Sequence, residues 1–327
     1  MRRAPDWKDR AEYALARGAE LGIGRLPERG AERLGQALGN LVRSPLGIRR
    51  EVVRENLRRA FPTAAAEWIE ETTRAAFAHL GRETVAMLRL AELSPAEILR
   101  RVEIDGEEEL REASREGRGM ILVTGHLGNW EVAAATAASL GFPIDAVMKR
   151  MRNPLLDARL DETRRRLGIG TIDMKDAPRE VPGVLASGKA LGLVADQDAG
   201  RRGLWVPFFG QLASTHRGPA LFALRYGAPL LFARAARVPG AGYSIRVERL
   251  TPPGSGDLAA DVLALTTAWT QRLEAAVRAA PEQYFWFHKR WKTRPAEEPQ
   301  GAQSGITRAD GLPGAPTESF DEARGSL

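Results

Sequence analysis

The sequence predicts an α/β protein: a mostly parallel, mixed sheet with helices on both faces, preceded by amphipathic helices at the N-terminus. Three observations predict it. From residue 119 onward, short apolar runs alternate with helical stretches, the rhythm of strand–helix–strand units in a sheet covered on both sides. Residues 6–90 instead read as helix. The length of 327 residues, 43% of them hydrophobic, is enough for a sizeable buried core.

The elements follow in order. In 28–43, Ala31, Leu34, Ala37, Leu38, Leu41 and Val42 recur at three- and four-residue spacing, with Glu28, Arg29, Glu32, Arg33 and Arg43 between them. The next helix, 48–60, sets Ile48, Val52, Val53 and Leu57 beside a dense set of arginines, and Phe61-Pro62-Thr63 ends it and caps a third at 64–90. Strands are expected at 120–124, 144–148, 190–195, 229–233 and 243–249. Helices are expected at 129–140, 153–167, 176–187, 216–226 and 257–280. The expected organisation is a helical, membrane-associating segment over 1–90, an α/β domain over 91–294 and a disordered acidic tail over 295–327.

Composition excludes some chemistry. Without cysteine there are no disulfides, thiolate metal sites, iron–sulfur clusters or cysteine nucleophiles. The net charge of +6 is uneven. Residues 295–327 carry six acids against two arginines, a net −4, which leaves +10 on residues 1–294. A basic body suits an anionic partner: a membrane surface, an acidic protein or nucleic acid. Nothing resembles an RNA-binding or helix-turn-helix signature, so no nucleic-acid partner is expected. No run reaches the roughly 18 apolar residues of a membrane span, and no apolar stretch after Arg2 and Arg3 suggests a signal peptide.

The stretch "ILVTGHLGNWEVAAA" (121–135) carries the strongest chemistry. His126 falls at a strand's carboxyl end, just ahead of a helix, where active sites of such folds lie. On one continuous helix, His126 and Glu131 would stand roughly 140° apart and could not easily touch. With His126 in the turn and Glu131 in the first helical turn, they can. A carboxylate on one ring nitrogen fixes the tautomer and raises the basicity of the other, which can then deprotonate a substrate hydroxyl. A structural histidine, with Glu131 complementing the helix dipole, fits the same residues. A metal site does not: one His and one Glu are too few ligands.

Three further clusters stand out. "VADQDAGRRGLWVPFFG" (194–210) puts Asp196, Gln197 and Asp198 at a strand end before an apolar loop, a combination suited to an amphipathic ligand. "VMKRMRNPLLDARLDETRRRLG" (147–168) places Arg150 directly after a strand, where it can clamp a phosphate or carboxylate. "PEQYFWFHKRWKTRP" (281–295) interleaves aromatics with bases and reads as an aromatic-rich closing strand. A G-x-S-x-G elbow, a Walker A loop and a G-x-G-x-x-G fingerprint are all missing, which leaves His126 as the candidate base.

At "TGHLGNWE" the sequence resembles the late acyltransferases of lipid A biosynthesis, the lauroyl/myristoyl transferase family. These belong to the wider lysophospholipid and glycerol-3-phosphate acyltransferase group, which shares an H-x4-D/E motif. "RENLRRAFP", "GHLGNWE", "RNPLLD", "ADQD", "VPFFG" and "PEQYFWFHKRWKTRP" look like that family in the family's order, covering about residues 10 to 295. The resemblance implies an acyl donor on acyl carrier protein or coenzyme A. It implies an acceptor hydroxyl on a lipid A precursor or related anionic glycolipid, at the cytoplasmic face of the inner membrane. His126 carries over as general base with Glu131 as its partner, and Asn129, Arg150, Arg164 and Asp196 as substrate-binding residues. No cofactor and no metal are implied. Many members begin with an apolar anchor helix; here Arg17, Arg25, Arg29 and Arg33 interrupt residues 11–43, which favours peripheral attachment. A lysophospholipid acceptor, or hydrolysis of a thioester by the same dyad, are the alternative expectations.

Overall fold

Four helices open the chain. The first, α1 (Trp7–Gly24), is started by Asp6, whose carboxylate accepts from the backbone N–H groups of Lys8 and Asp9. Next come α2 (Glu28–Arg43), α3 (Arg50–Ala60) and α4 (Ala66–Leu90). The computed structural model describes residues 3–90, 92–240 and 242–296. The acidic tail expected over 295–327 lies outside the described residues from 297 onward.

The side of α2 that packs is a small-residue stripe of Ala31, Gly35 and Gly39, while Leu38 and Leu41 stay 40% and 48% exposed. A Cβ on Gly39 would lie 2.0 Å from the carbonyl oxygen of Phe77. Only glycine lets α2 and α4 meet backbone to backbone, and that contact overrides the larger side chains.

The rest of the chain alternates. In order come α5 (Pro95–Leu99), β1 (Val102–Asp105), α6 (Glu107–Arg115), β2 (Met120–Thr124), α7 (Trp130–Ser139), β3 (Ile144–Met148), α8 (Pro154–Arg166) and β4 (Ile169–Asp173). They are followed by α9 (Ala177–Ala186), β5 (Ala190–Val194), β6 (Leu204–Phe208), β7 (Gln211–Thr215), α10 (Gly218–Tyr226), β8 (Leu230–Val238), β9 (Gly242–Leu250) and α11 (Leu258–Ala279). Seven strands make one sheet in the order β1-β9-β8-β2-β5-β3-β4. Every neighbouring pair is parallel except β8 with β9. This is the mostly parallel, mixed sheet the sequence predicts.

Both faces are covered. On one, Ile121, Val123, Leu191 and Phe232 pack with α9, α10 and α11 through Val181, Ala220 and Trp269. On the other, Met120, Leu122, Leu231 and Ala233 pack with α6 and α7 through Leu110, Val132 and Ala135. Alternate residues of β2 therefore serve opposite cores, which explains why its sequence is an unbroken apolar run.

Two segments differ from expectation. The apolar loop after Asp198 is a hairpin of β6 and β7, joined by Phe209 and Gly210, both at positive φ (53° and 73°). That is the turn geometry of a two-residue hairpin, with Phe209 in a position normally left to Gly or Asn. The Phe209 ring is held between Phe61 (5.1 Å) and the Arg278 guanidinium (4.4 Å), and its N–H donates to Glu274. The second is 281–295, which is not a strand. Pro281 opens a short 3-10 turn, and Tyr284, Trp286, Phe287 and Trp291 are all buried, so no face alternates. Asn56, from "RENLRRAFP", ties this segment to α3 by donating to the carbonyls of Trp286 and His288, 2.7 Å each.

Candidate active site

Strands β2 and β5 lie side by side with Thr124 opposite Val194. His126 and Asp196 each emerge two residues beyond that last pair, so the sheet register delivers them to the same place. Asp196 is 2% exposed. One of its oxygens lies 2.6 Å from His126 Nδ1, and the other accepts the His126 backbone N–H at 3.0 Å. Burial opposes ionisation of Asp196, but the His126 charge and these two hydrogen bonds outweigh it and hold the carboxyl at about 2. The Tyr284 phenol, fully enclosed beside Asp196, is pushed well above its ordinary range by burial and by that negative charge.

The carboxylate that meets His126 is thus Asp196, not Glu131. Glu131 sits one step inside α7 and turns toward α8, where Arg164 grips both of its oxygens, Nε to Oε2 at 3.0 Å. Arg164 also reaches the Met148 sulfur at 3.0 Å. Glu131 and Arg164 are only 7% and 9% exposed, so this is a buried, bidentate pair that locks α7 to α8.

The His126 loop is pinned from both sides. Trp130 packs edge-on against the imidazole at 4.6 Å, and Phe285 lies at 5.8 Å. The N–H of Phe285 donates to the His126 carbonyl, and that of Gly128 to the Gln283 carbonyl. Gly128 has φ +58, and a Cβ there would fall 1.8 Å from the Ala235 carbonyl oxygen, so the loop can press onto β8 only with glycine.

Asn129 is the N-cap of α7. Its Oδ1 accepts from the N–H groups of Glu131 and Val132, both at 3.1 Å, and its Nδ2 donates to Glu83 at 2.8 Å. Its side chain is spent on the scaffold, and it does not line the cavity described below. Arg150 does not line it either: it pairs with Asp161 and lies near Asp157 (3.6 Å) and Asp173 (3.9 Å). Asn129→Ala is expected to cost about 1–2 kcal/mol of stability through the lost cap, read from the urea midpoint at unchanged slope.

Behind this loop lies a largely buried polar cluster centred on α4. Glu83 accepts from Asn129, Arg237 and Tyr243. His79, 5% exposed, lies 3.7 Å from Glu83 and is pushed down to about 4, chiefly by burial. The folded protein therefore holds His79 neutral where the unfolded chain would protonate it, near its ordinary 6.5. The unfolded state binds more protons between pH 6.5 and 4, so stability is fully present above that window and falls as pH drops through it. Chemical denaturation across pH 4–8 should show a fall of about 3 kcal/mol that His79→Gln removes.

His126 opens onto a cavity of about 750 Å³. Its polar lining includes His126, Glu131, Lys149, Arg164, Gln197 and Asp198. His216 and His288 also face it, each pushed below its ordinary value, mainly by burial. Apart from Thr124 and Thr136, the remaining walls are mainly apolar and come from both faces of the sheet. Leu122, Ala134, Ala137 and Val247 lie on the α7 side, with Val147, Leu193 and Phe222 on the other. The alanine-rich stretch of α7 explains the space: where larger residues would meet the sheet, methyl groups leave a gap. A base at the head of a deep apolar cavity can serve an amphipathic substrate with a reactive polar end. Among the described residues no group of three or more His, Asp or Glu side chains could hold a metal ion.

Sequence reasoning named Asp196 but gave it to the substrate. The signal that could have placed it beside His126 was the equal two-residue offset from two strand ends, which needs the strand order.

The chain is 30% identical to the lipid A biosynthesis lauroyltransferase of Escherichia coli over 289 residues, 85% of this chain and 92% of that one. It is 28% identical to the palmitoleoyltransferase of the same organism over 81% of this chain and 86% of that one. It is also 28% identical to the phosphatidylinositol mannoside acyltransferase of Mycolicibacterium smegmatis, over 74% and 79%. The family described as bacterial lipid A biosynthesis acyltransferase matches residues 10–293, and the chain belongs to that family.

Proposed function

We propose that the protein moves a fatty acyl chain from a thioester, on acyl carrier protein or coenzyme A, to a hydroxyl of a lipid A precursor or related anionic glycolipid. The observation that carries this reading is the His126–Asp196 pair at the head of a large apolar cavity. Asp196 fixes the imidazole with its proton on Nδ1, leaving Nε2 free to accept. Nε2 takes the proton of the acceptor hydroxyl as its oxygen attacks the thioester carbonyl. The tetrahedral intermediate collapses, the C–S bond breaks, and the departing thiolate takes the proton back from the imidazolium. The acyl chain lies along the alanine-lined wall. Lys149 supplies positive charge at the mouth for an anionic acceptor or donor, and Glu131 and Arg164 hold α7 and α8 in place around it.

The relatives are named for lipid A biosynthesis in some cases and for phosphatidylinositol mannoside acylation in others, so a second glycolipid acceptor stays as the alternative. The test supplies purified protein with labelled acyl-carrier protein or acyl-CoA, each with a lipid A precursor, a phosphatidylinositol mannoside or no acceptor. Label is expected in a lipid product identified by mass spectrometry. Release of free fatty acid at the same rate with no acceptor would replace this reading with a hydrolase.

A further inference from the structure

His288, in the closing aromatic segment, lines the same cavity as His126, and the backbone fixes which of its ring nitrogens carries the proton. The N–H of Asp198 donates to His288 Nε2 at 3.0 Å. A backbone N–H only donates, so Nε2 is the accepting nitrogen and the ring proton sits on Nδ1. Burial disfavours a second proton and outweighs the pull of Asp196 and Asp198, which keeps the ring neutral at neutral pH. Nδ1 has no hydrogen-bond partner among the described residues and is not sealed inside the protein. Its N–H is left open to the cavity that the ring lines.

The ring is held from two sides. Asn56 clamps its backbone to α3 through the carbonyls of Trp286 and His288. Thr293 donates its backbone N–H (3.2 Å) and its hydroxyl (2.8 Å) to the two Asp198 carboxylate oxygens, which steadies the loop that offers the Asp198 N–H. The stretch Asp196-Gln197-Asp198 thus sets two imidazoles in opposite senses. Asp196 presents a carboxylate to His126 Nδ1, which frees Nε2 to accept a proton. Two residues on, the Asp198 N–H occupies His288 Nε2, which frees Nδ1 to donate. One cavity receives both a base and a neutral donor, set apart by their surroundings. His216 also faces the cavity, but no ring hydrogen bond among the described residues sets its tautomer.

We infer that His288 is a further catalytic residue, whose Nδ1–H donates to the thioester carbonyl oxygen and stabilises the negative charge that gathers there. The inference rests on the acyl-transfer reading and adds to it the group that receives the developing oxyanion. As the new C–O bond forms, the carbonyl electron pair moves onto the oxygen beside Nδ1–H. When that pair returns, the C–S bond breaks and the His126 imidazolium gives its proton to the sulfur. The His288 proton stays on nitrogen throughout, because a neutral imidazole gives up its N–H far less readily than an imidazolium. A donor fixed in advance needs no reorganisation as the charge appears.

Two measurements on the full chain test this. The first labels its four histidines with nitrogen-15 and assigns His288 by the NMR signals that His288→Gln removes. Those signals are expected to show a neutral ring protonated on Nδ1 at pH 7. A ring protonated on Nε2, or on both nitrogens, would overturn the inference. The second is steady-state transfer from the acyl donor that the wild type uses. His288→Phe is expected to lower kcat by about 10²–10³, the usual loss for one oxyanion donor. KM for donor and acceptor should stay within about threefold, with the His126 limb of the pH–rate profile in place. His288→Gln can accept the Asp198 N–H with its carbonyl and donate with its NH2, and should recover at least about tenfold of the loss. A wild-type kcat in His288→Phe, or a loss carried by KM or by a displaced His126 limb, would overturn the role. A wild type that transfers nothing in any format would sink the acyl-transfer reading itself, and this role with it, whatever tautomer the spectrum shows.

Discussion

Asp196→Asn is expected to lower the rate of acyl transfer by about 10²–10⁴ with the fold intact. The geometry dictates why so small a change should matter. One Asp196 oxygen accepts the His126 backbone N–H and the other faces Nδ1. In the asparagine variant the amide oxygen must keep the backbone N–H, since an NH2 group cannot accept it. That turns the NH2 group toward Nδ1, which must then become the acceptor, and the ring proton moves to Nε2. The nitrogen that faces the substrate is then protonated and cannot act as a base. The loss should fall on kcat, with the KM for acceptor within a few-fold. In the wild type Asp196 is ionised throughout the working range, because its carboxyl is held at about 2. Its contribution to stability is present above its ordinary value of 3.8 and is lost as pH falls through about 2. A wild-type rate in Asp196→Asn would remove Asp196 from the mechanism.

The second large effect concerns Glu131 and Arg164. Glu131→Gln is expected to destabilise the protein by about 3–5 kcal/mol, because it strands the Arg164 guanidinium in a site with little water. Replacing both, Glu131→Gln with Arg164→Met, should restore most of that loss, since an uncharged pair of similar volume carries no stranded charge. Urea denaturation of the two single variants and the double variant measures the coupling. Were Glu131 instead the working partner of His126, the double variant would regain no activity on regaining its stability, and its pH–rate profile would lose the limb belonging to His126. The expected profile keeps that limb, because Asp196 still holds the ring.

The strands and helices of the α/β region were legible in the sequence wherever a signal spanned several residues. β2 and β3 run as expected over Met120–Thr124 and Ile144–Met148: β2 is a buried parallel strand with an unbroken apolar run, and β3, only partly buried, keeps its apolar residues around Asp145. The weak elements were those whose pattern depends on neighbours. β1 has only four residues, alternately exposed. β6 and β7 contain Pro207 and turn at a positive-φ phenylalanine. The closing aromatic segment buries residues on all sides because it plugs the space between α3, the hairpin and the His126 loop.

The sequence by itself determined the chemistry available: a histidine at a strand end, acids at a second strand end, no thiols, and an alanine-rich helix able to leave an apolar cavity. The motif string determined the family. What only the tertiary structure decided was partnership. The sequence offered His126 one acid as partner, Glu131 five residues away in the chain, and assigned Asp196, seventy residues away, to the substrate. Strand order chose the distant one, because parallel neighbours β2 and β5 end in register and point their next residues at each other. The chain-local acid was turned by helical rotation toward Arg164. The polarity of α1 was decided in the same way. Its mixture of charged and apolar residues does not say which side faces in; the contacts of Arg3 with Asp9, of Arg17 and Arg159 with Glu20, and the burial of Ile23 beside Ala31 and Val85 set that side inward and leave Leu15 and Leu21 out.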